Sequence, residues 1–438
     1  METVKTFTRL VTPQEERQYL RIPFEMGLHT ASLTITYDYT RHREFPGGPG
    51  ITLRGELNII DLALEAPDGT LVGASGSERR EITIHENCAT PGYIGFPLHA
   101  GTWRIVLGAY KVHEDGCPVS ISITQTPKEP VLLKGDCHTH TVHSDGWYTV
   151  EEAIARARQD RLDFLFITDH NSMASNTFIR SFPDIAVLPG VEVTYYGGHY
   201  NLFGVSRPIK TYTANTPEEV LAIMREGRAN GALISINHPC DGNCPWTFGL
   251  GNAVSYDMME IWNGAHTPDN QKAIDLWHGQ LCQGQIRPVI GGSDSHHAQL
   301  FRNYATPATF LYAKSNGKSD ILDAMKSGHA FIGMSVDAPH ISLEMGEARM
   351  GDIYMGGQAP LRLRIGGLLQ EDEVLLMNQT GRVFSDKPGK CFKYEAEVDV
   401  SGSLFVRAEV RRALPGGFRT LTSISNPIYL RPGREAPQ

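Results

Sequence analysis

The chain has 438 residues, 41% of them hydrophobic and 20% charged, with a formal net charge of −9. That length suits two or three domains, and the composition is that of a soluble globular protein. The acidic balance without a basic run argues against a binder of long nucleic acid, and no apolar run approaches the ~18 residues of a membrane span. The N-terminus lacks the apolar centre of a signal peptide, so a cytoplasmic protein is expected.

Residues 1–128 read as all-β. Residues 31–39 (ASLTITYDY) alternate with period two, as a half-buried strand does. Residues 57–65 form a second candidate, closed by the turn Pro67-Asp68-Gly69. Residues 82–85, 101–108 and 119–124 continue the pattern without a helical interruption, which predicts a β-sandwich. Pro127 and Pro130 mark a linker.

From 131 to 335 strands and helices alternate. Thr149 and Glu152 form a capping box ahead of a helix of about ten residues. Buried strands are expected at 164–167, 186–194, 199–205, 232–238, 258–263 and 288–294, then at 308–312 and 330–333. Helices are expected from Pro217 to about 228, from about 270 to 282 and over 319–327. Buried strands separated by helices predict a parallel α/β barrel. Residues 338–438 return to period-two strands (361–365, 373–377, 395–400, 404–410) between glycine- and proline-rich turns, a second small sandwich.

The chemistry gathers in the middle region. Its opening stretch, 136–146, reads DCHTHTVHSDG. His138 and His140 stand two apart at a strand's end, so both imidazoles point to one side, and Asp145 follows in a glycine-bounded turn. His170, Glu192, His199, His238, Asp294 and His296 also fall at expected strand ends. A barrel brings strand ends together at one mouth, and His, Asp and Glu gathered there are metal chemistry. Ten of the seventeen histidines lie between 138 and 297, too dense for core filling or scattered surface.

The order of these pieces resembles the PHP (polymerase and histidinol phosphatase) family. The matching segments are His138-Thr-His140, Ser144-Asp145-Gly146, Thr168-Asp169-His170, Gly190-Val191-Glu192, His199, Asn237-His238-Pro239 and Gly292-Ser293-Asp294-Ser295-His296. The flanking β regions look like those of PHP enzymes related to carbaryl hydrolases. The resemblance implies a distorted seven-stranded (β/α) barrel and two or three divalent ions: manganese, iron or zinc. It assigns His138, His140, Glu192 and Asp294 to a first ion, with Glu192 bridging to a second held by His199 and His238. Asp145, His170 and His296 would hold a third, and catalytic roles fall to Glu192, Asp294 and His296. Some family members carry histidine where Asp145 stands; a carboxylate shifts preference toward manganese or iron.

Other residues carry two readings each. Asp169 is expected to orient His170, or else to cap its loop. Asn263 orients a metal-bound group or caps a loop. His143 and His297 neighbour ligands and read either as proton donors or, the stronger expectation, as solvent-facing side chains. Arg180 and Arg302 are the candidates for an anionic substrate, each also readable as surface. Cys240 and Cys244 form a C-x-x-x-C without a second pair, so reduced loop thiols are expected, and the seven scattered cysteines do not make a disulfide framework.

A hydroxide bridging two divalent ions is a nucleophile at neutral pH. The expected activity is hydrolysis of a small-molecule phosphoester, with a carboxylic ester, amide or carbamate as the alternative substrate at the same site. A binding module with a vestigial barrel is the alternative of another class. The expected partner is a small molecule, with no long nucleic acid and no membrane, and the β regions offer surface for a homo-oligomer contact.

Overall fold

The computed structural model describes residues 2–249, 255–298, 303–356, 359–414, 416 and 418–431. The chain falls into two compact units, Met1–Glu129 and Pro130–Gln438.

The first unit is built of two four-stranded antiparallel sheets. One runs Thr3–Val11, Cys117–Pro127, Thr30–Asp38, Glu81–His85; the other Tyr19–Met26, Gly101–Lys111, Ile59–Glu65, Leu71–Ser75. The alternation seen in sequence places Leu33, Ile35 and Tyr37 inward, where they share one core with Leu62, Leu64, Trp103 and Ile105 of the other sheet. A separate hairpin pairs His42–Gly48 with Ile51–Glu56.

The second unit carries the α/β pattern, and its elements are numbered here from its own start. Strands β1 (Val131–Asp136), β2 (Phe164–Ile167), β3 (Ala186–Tyr195), β4 (Gly198–Phe203), β5 (Leu233–Ile236), β6 (Met258–Asn263) and β7 (Val289–Gly292) pair in sequence order. The run curls until its ends meet. Just past β7 and β1, Ser295 bridges Thr139 in parallel, with the Asp294 amide donating to the His138 carbonyl (2.8 Å) and the His140 amide to the Ser295 carbonyl (3.0 Å). Helices α1 (Val150–Gln159), α2 (Pro217–Ala229), α3 (Pro268–Cys282) and α4 (Lys318–Ser327) are the α-helices of the described residues. The first begins at the expected box, Thr149 accepting from the Glu152 amide (3.2 Å) and Glu152 from the Thr149 amide (2.8 Å).

The pairing is not uniformly parallel, as the sequence led us to expect. Strand β4 runs antiparallel to both β3 and β5, while the other five pairs of the ring are parallel, counting the Thr139–Ser295 bridge. Only Tyr196 and Gly197 separate β3 from β4, and a two-residue connection permits nothing but a hairpin. Gly198 opens that hairpin's second strand at φ +125°, with Trp246 standing where a Cβ would go.

From β1 the sheet also continues outward through β8 (Ala308–Ala313) and β9 (Ala330–Gly333) to Arg419–Ser425, Phe405–Ala413, Asp372–Asn378 and Gly381–Asp386. The C-terminal β region is thus hydrogen-bonded to the α/β region across the β9 ladder. No helix among the described residues is long and apolar enough to cross a membrane.

Candidate metal centre

Each strand of the ring delivers its polar side chains to one end. His138 and His140 follow β1, His170 follows β2, and Glu192 lies in β3. His238 follows β5, Glu260 and Asn263 lie in β6, and Asp294 and His296 follow β7. His199 sits at the start of β4; because that strand is reversed, its first residues lie at the same end as the others' last. Asn171, His238 and Asp294 hold positive φ values of 49°, 27° and 52°. Such strained conformations off glycine collect where a site fixes the backbone.

Glu192 stands at the centre, wholly buried. Five imidazoles approach its carboxylate: His170 at 2.8 Å, His138 at 3.2 Å, His199 at 3.3 Å, His238 at 3.4 Å and His140 at 3.5 Å. Asn237 Nδ2 adds a hydrogen bond of 2.9 Å. Asp294 Oδ1 lies 3.0 Å from His140 Nε2 and 3.5 Å from His138 Nε2. On the open side, Asp145 Oδ1 lies 3.2 Å from His296 Nε2 and 3.7 Å from His170 Nε2. His140 stacks at 4.2 Å on both His170 and His296.

All nine residues picked from sequence therefore come to one place. Three ligand-type groupings emerge: His138, His140 and Glu192; His140, Asp145, His170 and His296; and His199, His238 and Cys244. His140 is common to the first two, where the family pattern gave it to the first alone.

The electrostatics fit cations. Burial by itself would raise the Glu192 carboxyl; the facing His138, with the His170 and His199 imidazoles close by, outweighs it and holds Glu192 well below the usual range. Asp294 is likewise held well below its ordinary value, His138 and His140 overcoming burial. Conversely burial would lower His138, but Glu192, Glu260 and Asp294 hold it well above the usual imidazole value. Burial keeps His140 lowered, despite Asp294. Buried carboxylates here demand positive charge, and divalent ions would supply it. His138 Nε2 and Glu192 Oε2 are buried and face other ligand-type atoms, yet neither has a well-directed hydrogen bond. A buried polar atom without such a bond costs about 1–3 kcal/mol, which coordination would remove. The donor set and these two atoms fit divalent metal ions.

No family model matches the chain. No curated protein matches it either. Among solved structures it is similar to a two-domain protein from Bacteroides vulgatus ATCC 8482 containing a predicted PHP-like metal-dependent phosphoesterase. Identity is 18%, with 67% of this chain and 95% of that one covered and a TM-score of 0.38. An amidohydrolase from Chromobacterium violaceum matches at 15% identity over 39% of this chain and 90% of its own, with a TM-score of 0.28. Likeness of this degree fixes neither fold nor activity.

Around the ligand-type groups sits a layer that sequence reasoning caught in part. Glu260, missed there, is buried and holds two of the histidines. His138 Nδ1–H donates to its Oε1 (3.0 Å), and its Oε2 accepts the His238 amide (3.1 Å). A carboxylate only accepts, so it puts the His138 proton on Nδ1 and leaves Nε2 for a metal. The signal was present: a glutamate inside the apolar run MMEIW must be paired if the strand is buried. Asn263 Nδ2 reaches Glu260 (3.1 Å) and Asp294 (3.4 Å), the orienting role rather than a loop cap. Asp136 is a second missed hub. It accepts the amides of His138 (3.1 Å), Ser293 (3.0 Å) and Ala305 (2.7 Å), and burial still pushes its carboxyl up to about 6.

Asp169 does not orient His170. Its carboxylate accepts from the Thr141 amide (2.7 Å), Thr141 Oγ1 (2.8 Å) and Ser144 Oγ (2.8 Å), so it fixes the turn carrying Asp145. The His170 ring is held instead by Thr194 Oγ1 at 2.6 Å and by Glu192. His143 stacks on Phe178 and His297 on Trp147. Arg180 is exposed and donates to carbonyls of its own loop, at Ile179 (2.8 Å) and Thr177 (3.3 Å). Arg302 lies outside the described residues. Cys240 packs against the hydrophobic core, whereas Cys244 Sγ lies 3.8 Å from His238 Nδ1.

Proposed function

We propose that this protein is a metal-dependent hydrolase of small-molecule phosphoesters. We read the seven-strand ring as a distorted barrel of the PHP type, with the flanking β regions as sandwiches. The observation that carries the reading is Glu192: one buried carboxylate with five imidazole nitrogens within 3.5 Å. A core carboxylate needs one or two hydrogen bonds, not five histidines, and this surplus of ligand chemistry matches a bridging ligand between cations.

In this reading His138, His140, Glu192 and Asp294 hold one ion, and Glu192, His199 and His238 a second. Asp145, His170 and His296 hold a third at the open side. Bound divalent ions would supply an activated water at neutral pH and charge for the ester oxygens. The chain's own contribution is to orient. Glu260 and Asn263 fix His138 and Asp294, Asn237 fixes Glu192, and Asp169 fixes the Asp145 turn. The half-exposed group of Asp145, His170 and His296 favours a phosphoester, because a phosphoryl group brings several anionic oxygens to be met on the open side.

The test is elemental analysis of protein expressed in metal-supplemented medium, beside turnover of a chromogenic phosphoester and an aryl carboxylic ester. Two or three divalent ions per chain and phosphoester turnover are expected. Glu192→Gln should lose metal together with more than about 100-fold of activity, beyond the loss usual for an outer-layer partner, while the fold stays intact. Less than one ion per chain would end the metal-centre reading. Turnover of the aryl ester alone would transfer the site to carboxylic esters, amides or carbamates.

A further inference from the structure

The loop from His238 to Cys244, HPCDGNC, closes on itself beside the centre. The Asp241 amide donates to the His238 carbonyl at 3.0 Å, and the Trp246 amide to the Pro239 carbonyl at 3.0 Å. Asp241 Oδ1 accepts from the amides of Asn243 (2.7 Å) and Cys244 (3.2 Å). The same oxygen lies 3.6 Å from Cys244 Sγ, which donates its S–H to it. The sulfur in turn lies 3.8 Å from His238 Nδ1. These are ordinary lengths for the long, weak bonds of sulfur.

The directions are consistent only one way. With its S–H spent on Asp241, the sulfur has lone pairs to offer, so His238 Nδ1 must be the donor. That leaves His238 Nε2, 3.4 Å from Glu192 Oε1, as the nitrogen that would give up its proton to take a metal. Metal-ligating histidines ordinarily give their second N–H to a carboxylate, a carbonyl or water, which fixes tautomer and ring plane. Glu260 does this for His138 directly. For His238 the carboxylate stands one group further away, with a thiol between.

We propose that Cys244 is a positioning residue: its sulfur relays the Asp241 carboxylate to His238 and so sets the affinity of the His199–His238 metal position. The inference rests on the metal-centre reading above. It gives the loop cysteine a task that Cys240, partly buried against the core, does not share. It also separates Cys244 from a direct ligand, because its contact is to Nδ1, the ring nitrogen that Nε2's approach to Glu192 leaves on the far side.

The experiment uses the full chain, stripped of metal and titrated with cobalt(II) against a competing chelator. Wild type, Cys244→Ala and Cys244→Ser are compared, with urea unfolding as a control for the fold. Cys244→Ala should weaken one cobalt equivalent by about 10–100-fold, the usual effect of losing an outer-layer partner, and leave the others unchanged. Cys244→Ser keeps a hydroxyl that can accept and donate, so it should lie closer to wild type than the alanine variant. Equal affinities in wild type and Cys244→Ala, at every equivalent, overturn the proposal. So does a sulfur-to-cobalt charge-transfer absorption in wild type that vanishes in Cys244→Ala, since that makes the sulfur a ligand. A wild-type chain that takes up no cobalt overturns the metal-centre reading itself, a result distinct from the other two.

Discussion

Histidines and carboxylates at the centre hold each other in charged forms, and the consequence is a pH dependence that metal should abolish. Burial would lower His138, His170 and His238. Their carboxylate neighbours, with the Cys244 contact for His238, raise all three instead. A histidine with a raised folded-state pKa stabilises the fold fully below about pH 6.5, its unfolded value, and loses that contribution as pH climbs through the folded value. Glu192 and Asp294 act on the acid side only, since their depressed values stabilise above about pH 4. His140 is lowered, so its effect also ends below about 6.5. The urea midpoint of the metal-free protein should therefore fall as pH is raised above about 6.5, while that of the metal-loaded protein should not. A metal-free midpoint that is flat or rising between pH 7 and 9 contradicts this account. At this scale the sequence was informative where ligand types recur at short spacing, as in His138-Thr-His140 and Asp294-Ser-His296. It was uninformative where a contact spans distant strands. Glu260 meets His138 across 122 positions, and nothing local to either announces the pair.

The elements carry the centre through close approach of backbone. Gly292 ends β7 against His138: an added Cβ would stand 2.4 Å from the His138 Cβ and 2.8 Å from Glu260 Oε1. Real Cβ atoms do not come so near, and the surrounding groups are wholly buried. Gly292→Ala should cost about 1–3 kcal/mol of stability, the range for overpacking a filled core. It should also weaken metal binding, because the relief available is to push His138 or Glu260 aside. Unfolding and metal titration of this variant test both halves; unchanged stability with unchanged metal affinity would show that β7 and β1 are less tightly apposed than the glycine implies. Strand existence was legible in β2, β5 and β7 because fully buried strands are continuous apolar runs. Strand direction was legible at β4 too, and was missed: the expected strands 186–194 and 199–205 leave only residues 195–198 between them, too few for a parallel crossover. In the first unit, Thr3–Val11 and Leu71–Ser75 escaped notice because edge strands need bury only part of one face.

At the scale of the molecule, all nine ligand-type residues fall between 138 and 296, inside one of the two compact units, yet that unit extends well beyond them. Composition suggested a boundary near 336, because period-two strands resume there. The hydrogen bonding crosses that point. Strand β9 pairs with Arg419–Ser425. Asn426, wholly buried, accepts the Val289 amide at 2.9 Å and donates to the carbonyls of Val289 (2.9 Å) and Ala330 (3.1 Å). It thereby caps the outer edge of β7, whose other edge pairs with β6. The apolar contacts agree, since Phe405, Leu421, Ile424 and Tyr429 share a core with Trp262 and Val289 of the ring and Trp277 of α3. A long-range partnership of this kind has no signature in periodicity, which reports what a segment is and not what it joins. The consequence is a definite outcome for truncation. A chain ending at residue 337 would expose Trp262, Trp277 and Val289, at about 25 cal/mol for each Å² of apolar surface, and leave the Val289 amide without its Asn426 partner at about 1–3 kcal/mol more. Together these rival the whole stability of a typical domain. The truncated chain should therefore be largely unfolded, with protease sensitivity, loss of the cooperative urea transition and no stoichiometric metal. Asn426→Ala, the milder form of the same cut, should lower the unfolding free energy by about 2–4 kcal/mol while leaving metal stoichiometry intact, since the Asn426 side-chain bonds go to Val289 and Ala330 and not to the ligand-type residues. A truncated protein that unfolds cooperatively and retains its metal would show that the ring stands on its own, with the C-terminal β region an attachment and not a wall.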